Sequence, residues 1–111
     1  MRNWCSNALA RLVEIQVSQD LPPVLHVQVG DLLMFGASGG RVLEGGTAVE
    51  LLGIFLTGVL SDDGRVLSPV GPPTSALFRT LQSGKARIEV IRGDPWQATQ
   101  QRQQIAIVVV A

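Results

Sequence analysis

This sequence is short of the residues on which most protein chemistry depends. In 111 residues it has one cysteine, Cys5, and one histidine, His26. A single cysteine excludes an internal disulfide and any cysteine cage for a metal. A single histidine leaves His26 as the only imidazole base for a serine or cysteine nucleophile. An electron-transfer copper site wants two histidines, a cysteine and usually a methionine, and that set is not met. Net charge is also missing: nine basic residues balance nine acidic ones, and the basic ones are scattered. A nucleic-acid partner would call for a basic face, and an anionic membrane surface for a basic cluster. No apolar run approaches the ~20 residues of a spanning helix. The longest uncharged stretch near the middle, residues 51–61, is interrupted by Gly53 and Gly58. The N-terminal stretch MRNWCSNALARLVEIQV has no apolar core of the kind a signal peptide carries.

What the sequence does have is alternation. Hydrophobic residues make up 46% and charged residues 16%, the balance of a folded chain rather than a disordered one. The length suits a single domain, and we assign it to residues 10–111; residues 1–9 carry no pattern and read as a frayed terminus. From Arg11 onward, Val13, Ile15 and Val17 fall on one side of a strand and Leu12, Glu14 and Gln16 on the other. Residues 24–29 alternate again, with His26 and Gln28 on the wet side. Leu32-Leu33-Met34-Phe35 is apolar throughout, the pattern of a strand buried on both faces.

Residues 47–60 read as one or two strands rather than a helix, because Gly53 and Gly58 weaken a helix and Val, Ile, Phe and Thr favour a sheet. Asp63-Gly64 marks a tight turn between Val59-Leu60 and Val66-Leu67. Residues 69–74 form a stiff proline-rich loop. The clearest stretch is residues 75–96. Ala86, Ile88 and Val90 point one way and Arg87, Glu89 and Ile91 the other. Gly93-Asp94-Pro95 ends the strand, since proline has no N–H to pair, and Trp96 follows on a loop. Residues 97–104 form a polar link and residues 105–111 a last strand. These seven to nine short strands, broken by glycine and proline, predict an all-β antiparallel sandwich or barrel, with a two-sheet sandwich suiting the alternation best.

Chemical candidates are weak. His26 faces solvent in mid-strand, away from any cleft. Asp62-Asp63 fits a turn better than a calcium loop, which needs more oxygen ligands at set spacing. Nothing places Glu44 and Glu50 across a cleft as a hydrolase pair. The glycine-rich loop over residues 36–41 lacks the Gly-Lys-Ser/Thr ending of a phosphate loop and opens no helix. The expectation is a protein without catalysis or cofactor, carrying three notable loops: residues 36–41, residues 69–74 and Asp94-Pro95-Trp96.

Three loops on a sandwich, one of them ending in Pro-Trp, resemble the chagasin-like inhibitors of papain-type cysteine proteases. The resemblance covers about residues 24–111. Phe78, Gly84, Ile88, Val90 and Pro95-Trp96 fall in the family's order, Val27-Gln28-Val29-Gly30-Asp31 is similar to its early strand and turn, and Gly71 lies near its glycine-rich middle loop. The sequence departs from the family at three points. Gly36-Ala37-Ser38-Gly39-Gly40-Arg41 replaces an Asn-Pro-Thr-Thr-Gly-aromatic loop. Gly71-Pro72-Pro73 replaces a glycine cluster. Asp94 stands where the family has arginine. The resemblance implies an immunoglobulin-like sandwich that binds a papain-like protease through loops at one end, with Pro95, Trp96 and Gly71 as contacts and Asp94, Ser38, Gly39 and Gly40 beside them. Read from its residues alone, Trp96 is either such an anchor or a plug over the edge of the core. The alternative function is an accessory domain whose apolar strands, residues 47–60 and 105–111, serve the core and a homo-oligomer interface.

Overall fold

The computed structural model describes residues 10–17, 21–67, 70–93 and 100–111. Among these there is no helix. Ten strands follow in order: β1 (Leu12–Ile15), β2 (Val24–Gln28), β3 (Leu32–Phe35), β4 (Gly39–Glu44), β5 (Val49–Phe55), β6 (Val59–Leu60), β7 (Val66–Leu67), β8 (Ser75–Thr80), β9 (Gly84–Arg92) and β10 (Gln101–Val110). One four-stranded sheet runs β1-β3-β8-β5 and a second runs β2-β10-β9-β4, while β6 and β7 pair only with each other. This is the all-β sandwich that the alternation predicts, of the immunoglobulin-like kind that the family resemblance implies.

The core is built from the inward residues of both sheets. Leu33, Phe35, Val49 and Phe78 from the first meet Ile88, Val90, Ile105 and Ile107 from the second, all fully buried. The Phe35 and Phe78 rings lie edge to face, with centroids 5.5 Å apart at 89°, the arrangement that the ring quadrupole favours. On β9, Ala86, Ile88 and Val90 face inward as the alternation requires. Glu89, on the outward side, is nevertheless buried, because Arg41 and Arg102 close over its Oε1 at 3.0 and 3.1 Å.

The structure corrects four expectations. Residues 39–44 are a strand, which overlaps the glycine-rich loop expected over residues 36–41; Gly39 and Gly40 pair with Ile91 and Val90. Gly40 must lie flat against the core, since a Cβ there would sit 3.0 Å from the Phe78 ring. The last strand starts at Gln101, inside the expected polar link, because β9 is long enough to pair with residues 101–104 beyond the reach of β2. In β3 only Leu33 and Phe35 are buried, while Leu32 and Met34 are half-covered on the outer face. The sheets are also not purely antiparallel: β1 runs parallel to β3 and β2 parallel to β10, each pair at a sheet edge.

The end of the sandwich holding residues 29–31, 45–48 and 81–83 is tied around Asp31. Its carboxylate takes Arg11 Nε at 2.9 Å, Arg11 Nη2 at 2.6 Å and the Gln28 N–H at 2.9 Å. The Thr80 hydroxyl reaches the Gln28 and Asp31 carbonyls at 2.9 and 3.0 Å. The other end is left for longer loops.

Candidate functional site

Strand direction decides which loops share an end. Phe35 pairs with Ala76, Phe55 with Ser75, Gly39 with Ile91 and Gln101 with Arg92. The β3–β4 turn, the whole β5–β8 connection and the β9–β10 connection therefore leave the sandwich together. Among the described residues, Gly36, Ala37, Ser38, Pro72, Pro73, Thr74, Arg92 and Gly93 line one shallow groove of about 440 Å³.

Each wall of the groove is fixed by backbone and side-chain bonds. In the β3–β4 turn, the Ala37 N–H donates to Phe35 O at 2.9 Å and the Ser38 N–H to Ile91 O at 2.8 Å. The Ser38 hydroxyl reaches Gly93 O at 2.7 Å and Ile91 O at 3.1 Å. Having one hydrogen, it serves the shorter contact best. Ala37 is buried, which pins the turn to the core. The proline wall is anchored where the Thr74 N–H donates to Phe55 O at 3.0 Å. Pro72 and Pro73 stiffen this wall by fixing φ. Arg92 forms the floor at the end of β9. Its Nη1 donates to Val17 O at 3.0 Å and its Nη2 to Gln101 Oε1 at 2.7 Å. Its Nε is buried without a partner among the described residues.

The residues singled out in the sequence fare differently. Ser38 lies in the groove wall. Gly71 is exposed, next to Pro72 on the same connection. Gly39 and Gly40 lie in β4, at the root of the groove rather than in a loop. Asp94, Pro95 and Trp96 lie outside the described residues; Gly93, just before them, lines the groove. His26 is exposed in mid-strand. Arg92 was missed. Its place as the last residue of an alternating strand is the signal that could have marked it.

The hairpin of β6 and β7 lies within the β5–β8 connection and so at this same end. Its turn is held by Ser61. The Ser61 N–H donates to Arg65 O at 2.8 Å, the Gly64 N–H to Ser61 O at 3.0 Å, and the Ser61 hydroxyl bonds Asp63. Gly64 takes a left-handed φ of 85°, which closes a hairpin turn that a side chain would strain. The Ser61 hydroxyl also draws the Asp63 carboxyl below the usual carboxylate range.

No family model and no curated protein matches the sequence. Solved structures do. The crystal structure of the cysteine protease inhibitor EhICP2 from Entamoeba histolytica aligns over 92% of this chain and 98% of its own, with 13% identity and a TM-score of 0.56. The solution structure of amebosin aligns over 91% of this chain and 98% of its own, at 14% identity and a TM-score of 0.48. A copper(I) form of an amicyanin variant aligns over 89% and 82%, at 15% identity and a TM-score of 0.40. The likeness to EhICP2 is one of fold. It agrees with the β-sandwich expected of residues 24–111.

Proposed function

We propose that this protein is a non-enzymatic binding module whose loop end docks on a protein partner, and that the partner is a papain-like cysteine protease. The observation that carries the reading is the groove. Three connections far apart in sequence meet around it, each held by hydrogen bonds to the sandwich. Affinity in such a device comes from preorganised backbone and a few buried anchors, not from bond-making. The similarity in fold to a cysteine protease inhibitor supports the choice of partner.

In this reading Ser38 and Gly71 contact the partner directly. Gly39 and Gly40 act by letting the turn sit low on β9. Pro95 and Trp96 supply the aromatic anchor, with Asp94 setting the charge beside it. Asp94 in place of the family's arginine reverses the charge that this loop brings to the partner. The proposed role calls for no proton transfer, so a lone solvent-facing His26 is no handicap.

Inhibition of papain by the purified protein, with Trp96→Ala and Ser38→Ala alongside, tests the proposal. Inhibition that weakens at least about tenfold in Trp96→Ala supports it, the size expected when a hot-spot aromatic is truncated. No inhibition at micromolar protein contradicts the choice of partner.

A further inference from the structure

The outer face of the second sheet holds a cavity that the loop end does not involve. Along β10, Ile105, Ile107 and Val109 face the core, so Ala106 and Val108 face out. Register then sets two adjacent rows across the sheet. Val24, Ala106, Arg87 and Glu44 share one row; His26, Val108 and Lys85 share the next. Ala106 and Val108 are short, and their row neighbours on β9 are long. The result is a trough over β10 of about 320 Å³, with Ala106 and Val108 as its floor. Lys85 and Arg87 form one wall and Val24 the other. Neighbouring strands lie about 4.8 Å apart, so the walls stand roughly 10 Å from each other, room for a ring or an extended chain.

The cationic wall is short of counter-charge. Lys85 makes no hydrogen bond or ion pair among the described residues. Arg87 Nε lies 3.6 Å from Glu44 Oε2, too far for a hydrogen bond. Both ends of that pair are exposed, so water screens it. On the same face Arg41 and Arg102 share a single acid, Glu89. The chain as a whole is neutral, yet folding gathers a surplus of positive charge here.

We propose that this trough binds a small organic anion, with a carboxylate or similar oxyanion between Lys85 and Arg87 and a flat apolar body over Ala106 and Val108. Side chains two positions apart on a strand face the same way, so both cations can reach one anion. A bare inorganic ion would gain nothing from the floor, whereas an apolar body buries area on it. A nucleic acid would need a longer basic track than two side chains with an acid beside them. Glu44 competes for Arg87 and so limits the affinity. The site is independent of the loop end.

Amide NMR of the labelled protein, titrated with naphthoate and separately with neutral naphthalenemethanol, tests it. The trough predicts saturable shifts from naphthoate at residues 24–26, 44, 85–87 and 106–108, and weaker binding of the alcohol. Lys85→Gln and Arg87→Gln should each raise the dissociation constant about threefold or more, and Glu44→Gln should lower it. Ala106→Leu, which fills the floor, should abolish binding at an unchanged thermal midpoint. If that variant fails to fold, the charge substitutions at exposed positions still decide. Equal binding of acid and alcohol overturns the site. So do a dissociation constant that the charge substitutions leave unmoved, shifts centred elsewhere, or no shifts at millimolar naphthoate. Binding to phosphatidylcholine–phosphatidylserine vesicles that Lys85→Gln abolishes, without saturable naphthoate shifts, assigns the face to a lipid surface and also overturns it. None of these outcomes bears on the protease reading.

Discussion

The hydroxyl of Ser38 lies 2.7 Å from the carbonyl of Gly93, joining the β3–β4 turn to the end of β9 across 55 positions of sequence. This bond holds one groove wall at a set distance from the strand that leads into Asp94-Pro95-Trp96. Ser38→Ala should lower unfolding stability by about 1 kcal/mol, the usual net worth of such a bond. The turn itself stays, because the Ser38 N–H still donates to Ile91 O. Denaturant unfolding reads the stability. The substitution should weaken partner binding by more than its effect on folding accounts for.

The opposite end depends on Asp31. Hydrogen bonding from the Arg11 guanidinium, aided by the Gln28 N–H, holds this carboxyl below its ordinary value of 3.8, and burial only partly opposes the shift. A depressed folded-state value means that the stabilisation is complete above the unfolded value and is lost as pH falls through the folded one. Asp31 should therefore contribute an acid-unfolding limb below about pH 4. Asp31→Asn should flatten that limb and cost about 1–3 kcal/mol at neutral pH, in the range for hydrogen bonds to charged groups. Thermal melts of both proteins across pH 2–7, a range set by the usual carboxylate values, would show it.

Glu89 makes a different kind of ion cluster. Its side chain is nearly inaccessible, but Arg41 and Arg102 are more than half exposed. Glu89→Ala releases both guanidinium groups to water rather than stranding them, so the cost should be about 1–2 kcal/mol rather than that of a fully buried pair. Chemical unfolding at low and high salt checks this, with a smaller difference between the proteins in high salt.

Gly40→Ala should be worse than a surface alanine has any reason to be. The new methyl would sit 3.0 Å from Cζ of Phe78 and 3.4 Å from Glu89 O. Phe78 is fully buried, with its ring in a T-shaped contact with Phe35, and has no room to yield. Overpacking of this kind costs about 1–3 kcal/mol, readable as a lower denaturation midpoint.

Much of the sandwich was legible because alternation and glycine-proline punctuation are local. Residues 86–92 show their inward and outward sides without help, and Asp63-Gly64 between two Val-Leu pairs announces a hairpin. Where legibility failed, the information was not local. Gly39 and Gly40 have no side chains to alternate, so their place in β4 depends on β9 alongside. Gln101 to Gln104 are too polar to read as a strand, and the register with residues 89–92 makes them one. The parallel edges of β1 and β2 are set by how the chain crosses between sheets, which no short window contains. Of the candidate site, Ser38 and the proline loop were visible as turn chemistry. Arg92 was not, because its role follows from strand ends converging, and neither was the hairpin's isolation from both sheets.

The most direct test of the account is an amide NMR map of the labelled protein titrated with inactivated papain. The account predicts shifts concentrated at residues 36–38, 58–67, 71–74 and 92–93, with residues 29–31, 45–48 and 81–83 at the far end unmoved. Shifts centred on that far end or on an outer sheet face, or none at micromolar excess, would contradict it.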